Sequence, residues 1–419
     1  MIKKVELLSP AGSFESLQAA IKGGADAVYF GVEQLNMRAR STNPFTINDL
    51  PAIHKICKAG KINTYLTLNT IIYDHDLRLM KQIVNAAKKN HITAVIASDQ
   101  AVLAYAKSIA MPVHISTQAN VSNFETVCFF APYADAIVLA RELSLQQVED
   151  ICRQVKRKKI TGPSGKPLKI EVFAHGALCM AVSGKCYMSL HSNYASANRG
   201  ACIQNCRRAY IVKDKEEEIE FEVDNEYIMS SKDLCTIDFI DQLIKTGASI
   251  FKIEGRGRSA DYVYTTTRCY REAIDSCTNG TFSKEKVTAW KDALATVFNR
   301  GFWGGYYLGK QMGEWTNQAG SLATKRKIYI GKGLKYFGKS KVAEFRLETN
   351  SLANGTDILI TGPTTGVVNA KVRGLRIEDT PVERVKKGDV FSIALGEKIR
   401  PSDKLYKIVE DDPDHAAAG

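Results

Sequence analysis

Eight short apolar runs recur between Val5 and Ile253, and segments of helical periodicity lie between them. The runs are Val5–Leu8, Ala27–Phe30, Thr64–Leu68, Ala94–Ala97, Val113–Ser116, Ala136–Leu139, Ile170–Ala174 and Ile250–Ile253. A strand that is apolar along its whole length has no face to offer water, so it belongs in a parallel sheet covered on both sides. The helices are equally legible. Ser13 is a natural N-cap for a segment that stops at Gly23-Gly24. Leu77, Leu79, Met80, Ile83, Val84 and Ala87 make an apolar stripe over Asp76–Asn90, and Leu143–Val155 reads as a third helix. Eight such alternations fit a TIM-type (β/α)8 barrel better than a doubly wound sheet.

The barrel occupies residues 1–320 on this reading, and it carries a cysteine-rich insertion over 179–228. The insertion is rich in Gly, Ser, Asn and Cys and runs into the acidic stretch Asp214–Glu222. From Thr324 onward the pattern changes to short strands with Gly and Asn-Gly turn signals. Residues 325–410 therefore read as a small C-terminal all-β barrel domain. Between Lys325 and Lys407 there are 18 Lys/Arg against 9 Asp/Glu, an excess of +9 out of +12 for the whole chain of 419 residues. Positive charge concentrated in one small domain is the footprint of a phosphate-backbone partner, although a solvated basic surface has the same composition. No apolar run approaches the ~18 residues of a membrane span, and the first residues lack the apolar core of a secretory signal. The expected location is the cytoplasm, without a membrane partner.

In a TIM-type barrel the chemistry sits at the carboxyl ends of the strands. Polar residues stand there: Ser9, Asn69, Gln118, Asn120, Arg141, Glu142, His175, Glu254 and Arg256. Each alone is more often a structural hydrogen-bonder, and their common position is what carries information. Glu171, His175 and Glu254 are titratable and are the candidates for acid–base work. Asn69, Gln118, Asn120, Arg141, Lys252 and Arg256 are candidates for holding substrate; the cations among them suit a small dicarboxylate.

Ten cysteines in a reducing compartment are not a disulfide framework. Cys57, Cys128, Cys152, Cys269 and Cys277 lie in helical segments and read as small core residues. The spacing Cys179-x6-Cys186-x15-Cys202-x3-Cys206 is different. Four thiolates suit an iron–sulfur cluster or zinc. Zinc sites usually pair their ligands tightly, and only the last two are close here, so a 4Fe-4S cluster fits better than zinc or than no metal. Cys235 is a spare thiol. Lys185, Arg199, Arg207 and Arg208 surround the four and would offset a cluster's charge, or simply face solvent. Two decoys fall away. Gly304–Gln311 approximates a P-loop but lacks its hydroxyl and has an aromatic pair where phosphates would lie. A Cys179 dyad with His175 or His191 rests on proximity in sequence alone.

The segment Glu171-Val-Phe-Ala-His-Gly-Ala-Leu-Cys-Met-Ala-Val-Ser-Gly-Lys-Cys-Tyr-Met-Ser189 resembles the signature of the collagenase-like peptidase family U32. Glu6-Leu-Leu-Ser-Pro-Ala-Gly12, Gly24-Ala-Asp-Ala-Val-Tyr29, Ala197-Asn-Arg-Gly-Ala-Cys-Ile-Gln-Asn-Cys-Arg207, Ser231-Lys-Asp-Leu234 and Lys252-Ile-Glu-Gly-Arg256 resemble its other motifs. The likeness spans about residues 1–320, and the β-domain is similar to the family's C-terminal module. It implies cluster-dependent hydroxylation without molecular oxygen rather than proteolysis. By length and β-domain the chain is most similar to the branch that hydroxylates C5 of the wobble uridine of tRNA, with prephenate as the implied hydroxyl donor. Cys179, Cys186, Cys202 and Cys206 carry over as cluster ligands. The implied partners are the tRNA anticodon region, whose bases Tyr187 or Tyr210 would stack, and the small dicarboxylate cosubstrate. Two other readings remain: a collagenase-like peptidase, and a non-enzymatic RNA-binding or cluster-carrying protein.

Overall fold

The computed structural model describes residues 5–38, 45–210, 212–213, 220–221, 229–309, 313–317 and 320–411. Most of the acidic stretch, residues 214–219 and 222, lies outside them. The eight apolar runs are the eight staves of a closed parallel barrel: β1 (Glu6–Pro10), β2 (Ala27–Phe30), β3 (Asn63–Leu68), β4 (Ala94–Ala97), β5 (Val113–Ile115), β6 (Ala136–Val138), β7 (Lys169–Ala177) and β8 (Ile250–Ile253). Each pairs with the next, and β8 closes the ring by pairing with both β7 and β1. Around it run α1 (Phe14–Lys22), α2 (Leu50–Ala59), α3 (Leu77–Lys89), α4 (Gln100–Ser108), α5 (Phe124–Phe130), α6 (Leu145–Arg157), α7 (Ile240–Lys245) and α8 (Ala260–Thr278).

Both faces of the staves are dry, which explains the unbroken apolar runs. Leu8, Ala27, Tyr29, Tyr65, Ala94, Ile96, Ala136 and Ile250 fill the barrel. Their neighbours pack outward against the helices, as Met80, Ile83, Val84 and Ala87 of α3 do from the other side. The cap expected at Ser13 is present, and Ser144 serves α6 in the same way. The Ser13 hydroxyl accepts from the backbone N–H of Ser16, and the Ser144 hydroxyl from that of Gln147.

β7 is longer than the other staves. Its overhang pairs antiparallel with Asp233–Cys235, which in turn pairs with Phe302–Trp303. This small annex receives the returning end of the cysteine insertion.

The C-terminal region is an eight-stranded antiparallel sheet that runs from Gly366–Lys371 at one edge to Thr380–Pro381 at the other. A closed barrel is expected from the sequence, but no ladder joins those two edges among the described residues. The sheet has its own core, in which Phe345 and Phe391 stack at 5.7 Å. It docks on α1 and α8. Lys22 Nζ donates to the Val367 carbonyl (3.1 Å) and to Glu397 (2.6 Å), and Lys327 pairs with Asp261. Lys335, Lys339, Lys341, Arg373, Arg384, Lys386 and Lys387 remain exposed. No described helix is long and apolar enough to cross a membrane.

A candidate active site at the barrel mouth

The polar residues at the strand ends divide into a buried tier and an open one. In the buried tier, Glu171 of β7 is wholly inaccessible and takes a hydrogen bond from Lys252 Nζ of β8 at 2.8 Å. Burial works against its charge, but Lys252 and then His114, whose Nδ1 lies 3.6 Å away, outweigh it and hold the carboxyl below its ordinary value. Lys252 also lies over the rings of Tyr29 (4.6 Å) and Phe173 (5.5 Å). This pair is sealed from any substrate. Glu171 is therefore a brace beneath the mouth rather than a proton carrier, and Lys252 is committed to it.

His175 is a second correction. Its side chain faces the annex and α8, among Tyr262, Tyr270 and Phe302. Burial alone pushes its pKa down to about 3, so the ring stays neutral and packs. That placement also removes the drawn dyad with Cys179. Ser9 likewise turns outward, with its hydroxyl 2.7 Å from that of Thr267.

The open tier holds Glu254. Tyr29 donates to it at 3.1 Å, and Arg38 approaches at 3.5 Å. Burial raises its pKa, but Arg38, Arg141, Arg256 and Lys252 together win, and the carboxyl is held ionised. The guanidiniums outnumber it. Arg256 is buried and donates to Asn36 (3.1 Å) and Thr67 (2.5 Å), which fixes the loop after β2. Arg141 lies 3.8 Å over Phe173 and donates to the Ala177 carbonyl at 3.0 Å; its Nε is buried without a hydrogen-bond partner. Arg38 and Arg141 thus have donors to spare at a cationic mouth, which suits a carboxylate or phosphate ligand.

Beside this mouth is a cleft of about 220 Å3. Asn69 and Gln118 line it from the barrel, and Ser183, Lys185 and Asn198 from the insertion. Asn69 Nδ2 donates to Gln118 Oε1 at 3.2 Å and to the Ser116 hydroxyl at 3.3 Å. Asn120 does not line the cleft; it sits at φ 51° and ends the turn Thr117–Ala119.

The insertion is folded down onto the barrel. The Ile71 N–H donates to the Asn198 carbonyl at 3.1 Å. Arg199 grips the Asp76 carboxylate and the Ile71 carbonyl and lies 4.2 Å over Tyr73. Gly200 turns at φ +78°, where a Cβ would strike the Asn36 carbonyl, so only glycine fits there. Arg199 lowers the Asp76 pKa chiefly by hydrogen bonding. A depressed carboxyl contributes stability above its unfolded value, which is lost as pH falls through the folded one. Asp76→Asn is therefore expected to speed amide hydrogen exchange at Ile71, Gly200 and Ala201 at pH 7. Wild-type protein is expected to show the same loosening only below the ordinary carboxyl value of 3.8. Unchanged exchange in the variant would rule out this anchor.

The four predicted thiols share this insertion. None is in a disulfide, and Cys179 and Cys202 are exposed. Burial raises the pKa of Cys206; Arg207 opposes this, while Cys179, Cys202 and Cys186 add to it. The other three are thus within electrostatic reach of Cys206, and four thiols are a soft donor set suited to iron or zinc. Among the described residues no three His, Cys, Asp or Glu side chains are already drawn to metal-holding positions. Cys235 stands apart, buried in the annex with Tyr270 as its hydrogen-bond neighbour.

Arg207 ties the thiol loop to the annex. It donates to the carbonyls of Leu178 and Ser231, both at 2.6 Å, and to the Ser230 hydroxyl at 3.0 Å. Behind it Asp233 is buried, and burial raises its pKa against the pull of Arg300, Arg258 and Arg207. Tyr187 and Tyr194 project from the insertion at 74% and 94% exposure, whereas Tyr210 is tied to the Asn205 carbonyl at 2.8 Å. Arg38, Tyr194 and the Asp233 cluster were not legible as site residues in the sequence. The motifs containing Tyr29 and Asp233 were the only pointers to their neighbourhood.

A protein named collagenase from Porphyromonas gingivalis is 55% identical over 406 residues, covering 97% of this chain and 98% of that one. The tRNA hydroxylation protein P of Helicobacter pylori is 33% identical, covering 73% of this chain and 72% of its own. The tRNA hydroxylation protein P1 of Bacillus subtilis is 29% identical, covering 97% and 95%. The profile of peptidase family U32 matches residues 12–317, from the first βα turn to the residues beyond the annex, and the chain belongs to that family.

Proposed function

We propose that this protein hydroxylates C5 of the wobble uridine in tRNA, without molecular oxygen. The observation that carries the reading is the seating of a four-thiol insertion on a barrel mouth that also holds a cationic site and an amide-lined cleft. The relatives named for tRNA hydroxylation support it, and so does the basic sheet, whose exposed lysines and arginines suit an RNA backbone. Unpaired anticodon bases can be splayed out and stacked, and Tyr187 stands in the open to receive one.

Cys179, Cys186, Cys202 and Cys206 would hold a 4Fe-4S cluster, which supplies Lewis-acid or electron-transfer chemistry next to the cleft. Arg207 then offsets part of the charge of the thiolates. Arg38 and Arg141 bind the carboxylates of a prephenate-like donor, and Arg256 and the Glu171–Lys252 pair keep that mouth rigid. The exchange replaces C5–H by C5–OH, so it withdraws two electrons from the base. The donor that gives up its hydroxyl takes up those two electrons and a proton. The proton leaving C5 ends on the donor, and Glu254, held ionised among the arginines that bind the donor, is the titratable group that can pass it on there.

The P. gingivalis relative's name keeps a peptidase as the second reading. The test is mass spectrometry of nucleosides in bulk tRNA from a host that lacks its own uridine-hydroxylation genes. We expect a 5-hydroxyuridine derivative with the wild-type chain and none with Cys179→Ala. Unchanged nucleosides from a soluble, iron-loaded protein would defeat the tRNA reading, and cleavage of denatured collagen by iron-free protein would favour the peptidase.

A further inference from the structure

We infer that the cleft beneath the insertion is the pocket for a single flipped uracil base, separate from the arginine mouth that takes the anionic cosubstrate. The inference rests on the tRNA reading and assigns its two ligands to different compartments.

Charge separates the two. The mouth carries Arg38, Arg141 and Arg256 around Glu254, whereas among the described residues the cleft has one cation, Lys185, at its exposed rim. A dicarboxylate would lose most of its water in the cleft and gain one partner. A neutral ring loses little and meets apolar walls from Met37, Ile71 and Phe130.

The polar lining suits a base edge. Gln118 Oε1 accepts from Asn69, and the Ser116 hydroxyl also meets it, so the Gln118 carbonyl is turned into the barrel wall. Its NH2 group is then left to donate. Asn69 accepts from the Met37 N–H at 3.3 Å, which fixes that amide in turn. The Asn69 donors are already spent on Gln118 and Ser116, so the Gln118 NH2 is the held donor for a uracil carbonyl oxygen, and Asn198 supplies an amide across the cleft for the other. Size agrees as well. At about 220 Å3 the cleft is below the ~300 Å3 at which pockets for drug-sized ligands begin, and it takes one base rather than a dinucleotide. Lys185 is positioned for the phosphate of the extruded nucleotide, and the exposed Tyr187 and Tyr194 for its neighbours.

The experiment is binding of full-length protein to anticodon stem-loop RNAs that carry uridine, cytidine or an abasic site at the wobble position, at fixed salt. Stacking and edge contacts of one base are worth about a tenfold gain over the abasic RNA. Ser183→Trp, which fills the cleft from the insertion side, should erase that gain and leave abasic-RNA affinity unchanged. Gln118→Met, near in shape, should erase the preference for uridine over cytidine without blocking entry, which covers the case of a misfolded tryptophan variant. Wild-type protein that binds none of the RNAs would overturn the tRNA reading itself. Wild-type protein that binds all three equally, or variants that keep the uridine preference, would overturn the cleft assignment alone.

Discussion

Cys206→Ala protein, purified without oxygen, is expected to carry background iron and acid-labile sulfide and to lack broad visible absorbance. Its barrel should stay folded. At Cys206 burial and the other three thiols raise the proton affinity, and Arg207 opposes them. Loss of one ligand from an exposed loop leaves the cluster open to solvent and oxidation. The fold does not depend on it, because the insertion is pinned independently by Arg199 on Asp76 and by Arg207 on Leu178 and Ser231. The measurement is iron and sulfide per chain beside far-ultraviolet circular dichroism. A full iron complement in Cys206→Ala would refute the ligand set. Loss of iron in Cys235→Ala with retention in Cys206→Ala would exchange the two, although Cys235 is buried and its thiol is pushed up to about 11, chiefly by burial.

Lys252→Ala should be the most destabilising single change in the barrel. It leaves Glu171, with no exposed surface, as an uncompensated charge, and breaking such a pair typically costs about 3–5 kcal/mol. His114 lies at 3.6 Å and makes no hydrogen bond at Nδ1, so it does not replace the lysine. The sign of the pH dependence follows. In the wild-type chain Glu171 is held below its ordinary value of 4.5, so the pair stabilises above that value and is lost as pH falls through the depressed one. In the variant only burial and His114 act, the carboxyl moves up, and protonation relieves the cost. The gap between the two proteins in urea denaturation should therefore be largest near pH 7.5 and should shrink toward pH 5. Glu171→Gln combined with Lys252→Met should recover most of the loss, because it removes both charges. An equal gap at both pH values would mean that packing rather than charge is what Lys252 supplies.

Much of the barrel was readable in the sequence because its physics is local and periodic. A stave buried on both faces must be apolar throughout, and a helix on its outside must be apolar on one side. Ser13 caps where its position before an apolar stripe suggests. The annex strand Asp233–Cys235 is illegible because Asp-Leu-Cys makes no apolar run and lies outside the alternation with helices that marks the equally short β5 and β6. The strand order of the C-terminal sheet is illegible in the sequence for a related reason. Strand order depends on which edges meet, and turn signals report only that strands end.

The site was legible as chemistry and illegible as geometry. The cysteine spacing, the basic excess of the last domain and the polar strand ends are properties of the chain itself, since they need only residue types at given separations. Which strand-end residues face the mouth was decided by tertiary structure. Glu171 and His175 are four residues apart on β7 and would share a face by simple alternation, but the register against β8 slips between Phe173 and His175. Glu171 thus meets Lys252 inside the barrel, while His175 meets Tyr262, Tyr270 and Phe302 outside it. Sequence gives both the same standing as titratable groups near a strand end. Only the closed barrel, by removing water from both, leaves one as half of a charged brace and the other as a neutral packing ring, and gives the mouth to Arg38, Arg141 and Glu254.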